Sequence, residues 1–205
     1  MVETKLEVLV RQMKKKEKES NKEQNIAEIN KMPTLTGKCI MAHVFLSPQS
    51  TVMESIIRND LNIEGPENET SGDGRKDGVN YEIKVSLHAK GGKINFVQIR
   101  PDHNVNAYIF MSYNMYENEN ENEKEKVGMA HIFNVPANKL YELIVLYGGY
   151  AHGTLSKLGK ITNENIKGRN CEYALRCNPN AKKGKSLEIW KELLKYEVSY
   201  YAENF

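Results

Sequence analysis

With 205 residues the chain is long enough for one domain with a proper hydrophobic core and too short for two of ordinary size. The 29 Lys and Arg against 27 Asp and Glu leave a formal charge of +2, so the molecule is no polycation and any contact with nucleic acid must come from local basic clusters. Cys39, Cys171 and Cys177 form no Cys-x-x-Cys pair and leave an odd count, which argues against a disulfide framework or a zinc site. No run is long enough to span a bilayer and no signal peptide is apparent, so a cytoplasmic protein with no membrane partner is expected.

Residues 1 to about 31 read as helix. Leu6, Leu9, Val10 and Met13 make one apolar stripe, residues 14–20 are charge-dense, and Ile26 and Ile29 resume the stripe more weakly. Residues 1–32 are therefore expected to form an arm, packed through that stripe, pairing with a second subunit, or lying along DNA phosphates. Pro33 and Gly37 end it, and residues 33–205 form one main domain. Ser47-Pro48 is a good helix start, with a capping hydroxyl and proline in the first turn. That helix should run to about Leu61, with Met53, Ile56, Ile57 and Leu61 buried and Glu54 at the stripe's edge. Residues 62–70, rich in Glu, Asn, Gly and Pro, read as a loop.

The chemistry concentrates in residues 71–86. A glycine-punctuated turn carries Asp73 and Asp77, then residues 81–86 alternate with the period of a strand. Residues i and i+2 of a strand share a face, so Glu82 and Lys84 emerge side by side while Ile83 and Val85 point the other way. Gly72 and Gly74 let the turn fold back so that Asp73 joins them, with Asp77 as the competitor for that place. Two carboxylates held close repel unless a cation sits between them, and hard cations such as Mg²⁺ prefer oxygen ligands. A lysine beside such a cation can steer a water molecule or stabilise charge developing on a phosphate. Glu-x-Lys on its own is a common solvated strand face; the preceding Gly-Asp-Gly and the basic, amide-rich segment that follows favour a metal site.

Beyond the turn, residues 86–93 form a polar connection with Lys90 and Lys93, and residues 94–100 an apolar segment dotted with Gln98 and Arg100. Residues 105–115 look like a buried central strand, residues 117–126 a solvated turn, and residues 127–135 another strand. Pro136-Ala-Asn should start a helix from about Lys139 to Tyr147, and a last helix, capped by Ser186, carries Leu187, Trp190, Leu193 and Leu194 on one face. Strands in the middle flanked by helices, without repeats, argue an α/β (mixed α+β) fold with a central mixed sheet covered by helices. Residues 148–154 lack the Gly-Lys-Ser/Thr of a phosphate loop. Their His152 and Thr154, with Lys157 and Lys160 beyond, nevertheless offer donors for phosphates and base edges, and Arg169 and Arg176 add a basic cluster.

Gly72-Asp73 and Glu82-Ile83-Lys84 together resemble the PD-(D/E)XK nucleases, in particular the type II restriction endonucleases. Asp73 follows glycine where the family name has proline, and it stands closer to the Glu than in many members. The resemblance implies a restriction-endonuclease-like core over roughly residues 47–177, and a late His-Gly-Thr stretch similar to that of residues 152–154 occurs in some of these enzymes. It implies a Mg²⁺-dependent, sequence-specific cleavage of double-stranded DNA. Asp73 and Glu82 would be metal ligands, the Ile83 carbonyl a possible third, and Glu54 a support from the preceding helix. Lys84 would position or deprotonate the attacking water, the latter only with a lowered pKa. Gln98 would support that site or serve as a structural amide. DNA contacts are expected from Lys90, Lys93, Arg100, His103 and Asn104, and from the residues after position 151 just named. Two cuts at a palindromic site call for a homodimer, and host DNA would need a companion methyltransferase. The rival readings are a repair nuclease or Holliday-junction resolvase on the same fold, and a non-catalytic nucleic-acid-binding protein.

Overall fold

The computed structural model describes residues 22–46, 50–116, 127–151 and 158–198. The expected arm before residue 22, the Ser47-Pro48 helix start, the turn at residues 117–126, and His152, Thr154 and Lys157 lie outside the described residues. Three helices come first: α1 (Lys22–Asn30), α2 (Leu35–Leu46) and α3 (Ser50–Asp60). The strands are β1 (Gly74–Lys76), β2 (Val79–Leu87), β3 (Ile94–Ile99), β4 (Ala107–Tyr113), β5 (Ala130–Pro136), β6 (Gly149–Tyr150) and β7 (Tyr173–Cys177). Helix α4 (Ala137–Tyr147) follows β5, and α5 (Lys185–Leu194) follows β7.

The fold is mixed α+β, with a mixed sheet flanked by helices. Its order is β1-β2-β4-β5, with β2 and β4 parallel and both other pairs antiparallel. Strand β4 lies between two neighbours and is buried at all seven positions, as its run of apolar and aromatic residues requires. Alternation divides the core. Ile83, Ile109, Met111 and Ile132 face α1–α3 through Ile29, Cys39, Met53 and Ile57. Tyr108, Phe110, Phe133 and Val135 face the opposite layer, where Phe96, Leu175, Leu140 and Trp190 meet them. Each such side chain contributes roughly 1.5–3 kcal/mol by leaving water.

That opposite layer holds a second sheet, β3-β7-β6, antiparallel throughout. Residues 173–177 therefore form a strand where a basic surface cluster was expected, because four of the five are buried and only Arg176 points out. Helix α2 was also unexpected: Gly37, read as a terminator, lies inside its first turn and donates its N–H to Thr34 Oγ1 at 3.0 Å. The N-cap is thus Thr34, immediately after the proline. Helix α4 begins at Ala137, two positions before Lys139, with Pro136 at the cap. Gly184 stands at the cap of α5, which puts Ser186 inside the helix; Leu187, Trp190 and Leu193 are buried and Leu194 is exposed. Among the described residues no helix is long and apolar enough to cross a membrane.

Candidate active site

The β1–β2 hairpin turns at Asp77-Gly78, both with positive φ (51° and 80°), the pairing of signs that matches the twist of a two-residue hairpin. Asp77 is exposed at that tip and serves the turn. Strand β1 is so short that it pairs with β2 only as far as Tyr81. Beyond Tyr81 the outer edge of β2 has no strand beside it from β1, and Asp73 takes that place. Its backbone N–H donates to Tyr81 O at 2.7 Å, and its Oδ2 accepts the Ile83 N–H at 2.7 Å. The carboxylate thus stands in for the missing strand and is held in line with the edge. Gly72 makes the approach possible: it has φ +76°, and a Cβ there would lie 2.4 Å from Tyr81 O.

Lys84 lies on the same face of β2 as Glu82, and its ammonium is the centre of the cluster. Nζ stands 2.6 Å from Glu82 Oε1, 3.6 Å from Asp73 Oδ2 and 4.0 Å from Glu54 Oε1 on α3. It also donates to Ile83 O at 3.1 Å. Glu82 and Lys84 are largely enclosed, with 7% and 12% of their side chains exposed, so the charges interact in a medium less polarisable than water. Asp73, Glu82, Lys84 and Glu54 are therefore brought together, with the Ile83 carbonyl among them, as the alternation of the strand and the edge position of Glu54 indicated.

Three carboxylates around one ammonium leave negative charge uncompensated when all are ionised. The strain appears on Glu54. Burial pushes its carboxyl up to about 7; Lys84 opposes this, while Asp73 and Glu82 add to it. For Lys84, burial alone would lower the pKa, but Glu82, Asp73 and Glu54 outweigh it and hold the ammonium above its ordinary value. A lysine acting as general base needs the opposite shift. In this arrangement Lys84 is a cation donor. Among the described residues no three His, Cys, Asp or Glu side chains stand as a ready metal cage. The donor set nonetheless suits a hard cation, being carboxylate and carbonyl oxygen throughout.

The expected nucleic-acid contacts divide. Lys90, Lys93, Gln98, Asn104, Lys160 and Arg176 are exposed and His103 is half-buried. Gln98 has φ 58° at the irregularity between Phe96 and Ile99, in the second sheet. Arg100 is committed to Glu172, with Nε 2.9 Å from Oε1, and joins the end of β3 to the start of β7. Arg169 donates to Tyr150 Oη at 2.6 Å and to Leu158 O at 2.9 Å. These two arginines hold the protein together at those points. Sequence reasoning missed Arg58 on α3, whose guanidinium donates to the Asp73 carbonyl at 3.3 Å. The only available signal was its position one helical turn after Glu54.

A scan against protein-family models finds no match for this chain. A search of curated proteins likewise finds none.

Proposed function

We propose that the chain is a Mg²⁺-dependent endonuclease that cuts double-stranded DNA at fixed sites, in the manner of a type II restriction enzyme with a PD-(D/E)XK-like centre. The observation that carries this reading is the convergence of Asp73, Glu82, Glu54 and the Ile83 carbonyl, all within 4.0 Å of the Lys84 ammonium, at a sheet edge. Asp73 and Glu82 would hold the metal, with Ile83 O and Glu54 in support. A bound Mg²⁺ supplies polarisation of the scissile phosphate, activation of water and compensation of the leaving oxygen.

The chain's own residues do the rest. Asp73 keeps one carboxylate oxygen engaged by Ile83 N–H, which fixes the direction of the other. Lys84, whose ammonium the surrounding carboxylates favour in the metal-free protein, would position the attacking water by donating to it and offset charge building on the phosphate. Exposed Lys93, Lys160 and Arg176 supply cations for phosphates, which give register and salt dependence. Cutting both strands of a palindrome calls for two copies of this single cluster, hence a homodimer, and a companion methyltransferase would shield host DNA.

The test is digestion of long mixed-sequence DNA with Mg²⁺ and with EDTA, followed by sequencing of the ends. Discrete fragments sharing one terminal sequence, formed only with the metal, support the proposal. Cutting confined to branched DNA would assign a junction resolvase, and binding without any cutting would assign a non-catalytic protein.

A further inference from the structure

We propose that Arg58 is the positioning residue of this centre, locking helix α3 to the turn that presents Asp73; this rests on the metal-dependent reading given above. Asp73 is held at each of its three local handles. Its amide donates to Tyr81 O at 2.7 Å, one carboxylate oxygen accepts from Ile83 N at 2.7 Å, and its carbonyl accepts from Arg58 at 3.3 Å. The first two bonds tie Asp73 to β2. Only the third ties it to the helix that carries Glu54.

Glu54 and Arg58 are four residues apart on α3, hence stacked on one side of the helix about 6 Å apart along its axis. The helix therefore touches the cluster at two points, Glu54 toward Lys84 at 4.0 Å and Arg58 toward Asp73. The turn also packs on the arginine stem. A Cβ on Gly74 would lie 3.2 Å from Arg58 Cδ and 2.3 Å from Glu64 O, so the backbone approaches without room for a side chain. The separation of the Glu54 and Asp73 carboxylates is set by this strut.

Helix α3 does not depend on Arg58 for its own docking. Met53 and Ile57, 3% and 0% exposed, already fix it on the sheet. Arg58 is half-buried and adds a directional bond to a functional backbone atom. Loss of a group that orients a metal ligand typically costs 10–100-fold in metal affinity or activity.

The experiment compares wild type, Arg58→Met and Arg58→Lys. Methionine keeps an unbranched stem against Gly74 and deletes the donor; lysine restores one. Mn²⁺ affinity is read by calorimetry without DNA, alongside melting temperature and kcat and KM for DNA cleavage. Expected for Arg58→Met is Mn²⁺ binding weakened about tenfold, kcat falling in step and KM within about twofold. The melting temperature should move only a few degrees, and Arg58→Lys should recover part of the loss. Wild-type Mn²⁺ affinity and kcat in Arg58→Met overturn the inference, as does a rise in KM alone, which would make Arg58 a direct phosphate contact. If the wild type itself neither binds Mn²⁺ nor cuts DNA, the nuclease reading falls first and this inference with it.

Discussion

Replacing Glu54 with glutamine removes one of the three carboxylates that face the Lys84 ammonium while keeping the side chain's size. In the metal-free protein this should stabilise the fold above pH 8, because Glu54 is then ionised in a largely buried place, a cost that Lys84 only partly relieves and to which Asp73 and Glu82 add. Its folded-state pKa is raised from 4.5 to about 7, so the folded protein binds this proton more tightly than the unfolded chain. The stability from that proton is fully present below about pH 4.5 and is lost as pH rises through about 7. A shift from 4.5 to about 7 corresponds to roughly 3 kcal/mol at most. Solvent screening at a side chain 16% exposed reduces this to about 1–2 kcal/mol. Urea denaturation in EDTA should therefore find Glu54→Gln more stable than wild type by about 1–2 kcal/mol at pH 8.5 and nearly equal to it at pH 5. Mg²⁺ at 100 times the wild-type Kd should reverse the order at pH 8.5 if glutamine weakens binding about 100-fold, since wild type then gains about 2.7 kcal/mol and the variant about 0.4 kcal/mol. A destabilised Glu54→Gln at pH 8.5 without metal, or a difference that does not vary with pH, would refute the argument that Glu54 is a buried carboxyl costly to ionise.

Gly72→Ala should cost more than about 2 kcal/mol in denaturant unfolding, since alanine meets both a positive φ and the Tyr81 carbonyl; a loss under about 0.5 kcal/mol would show that the turn relaxes freely. Lys84→Met and Asp73→Asn should each lower DNA cleavage by about 100-fold or more while keeping the wild-type far-ultraviolet circular dichroism. Cutting at the wild-type rate by either variant removes it from the mechanism. Arg176→Ala should weaken DNA binding with little sequence dependence and flatten the slope of log affinity against log salt by about 1, and an unchanged slope takes Arg176 off the DNA surface.

Where local pattern and burial agree, the sequence was sufficient. The mostly apolar run of β4 and the Leu187-Trp190-Leu193 stripe of α5 are buried as their patterns indicate, and the alternation of β2 puts Glu82 and Lys84 on one face. Helix α2 escaped because its composition is apolar almost all round. A helix covered on most sides has no stripe to detect, and its one glycine imitates a terminator. Strand β7 escaped for another reason. Its five residues carry too little alternation to stand out, and its partner β3 lies about eighty residues earlier, so the pairing is a tertiary fact. Arg100 and Glu172 show the same thing at the level of a side chain: two surface charges become an internal tie only once β3 and β7 are adjacent.

The candidate site was more legible than the fold around it, because it is built from near neighbours in the chain. Asp73, Glu82 and Lys84 lie within twelve residues, and a tight hairpin with one strand period brings them together without help from distant segments. Their protonation behaviour could not be read the same way. Whether Lys84 gains or loses its proton easily depends on how many acids stand within about 4 Å and how much water reaches them, and here burial and three carboxylates pull in opposite directions. In the metal-free protein the carboxylates prevail and favour the charged form of the lysine. Arg58 marks the same boundary from the other side. It acts on a backbone carbonyl, which every residue has, so no residue type at the receiving end could have announced it. The acids and the amine of such a centre leave a trace in sequence; the bond that sets the distance between them leaves almost none.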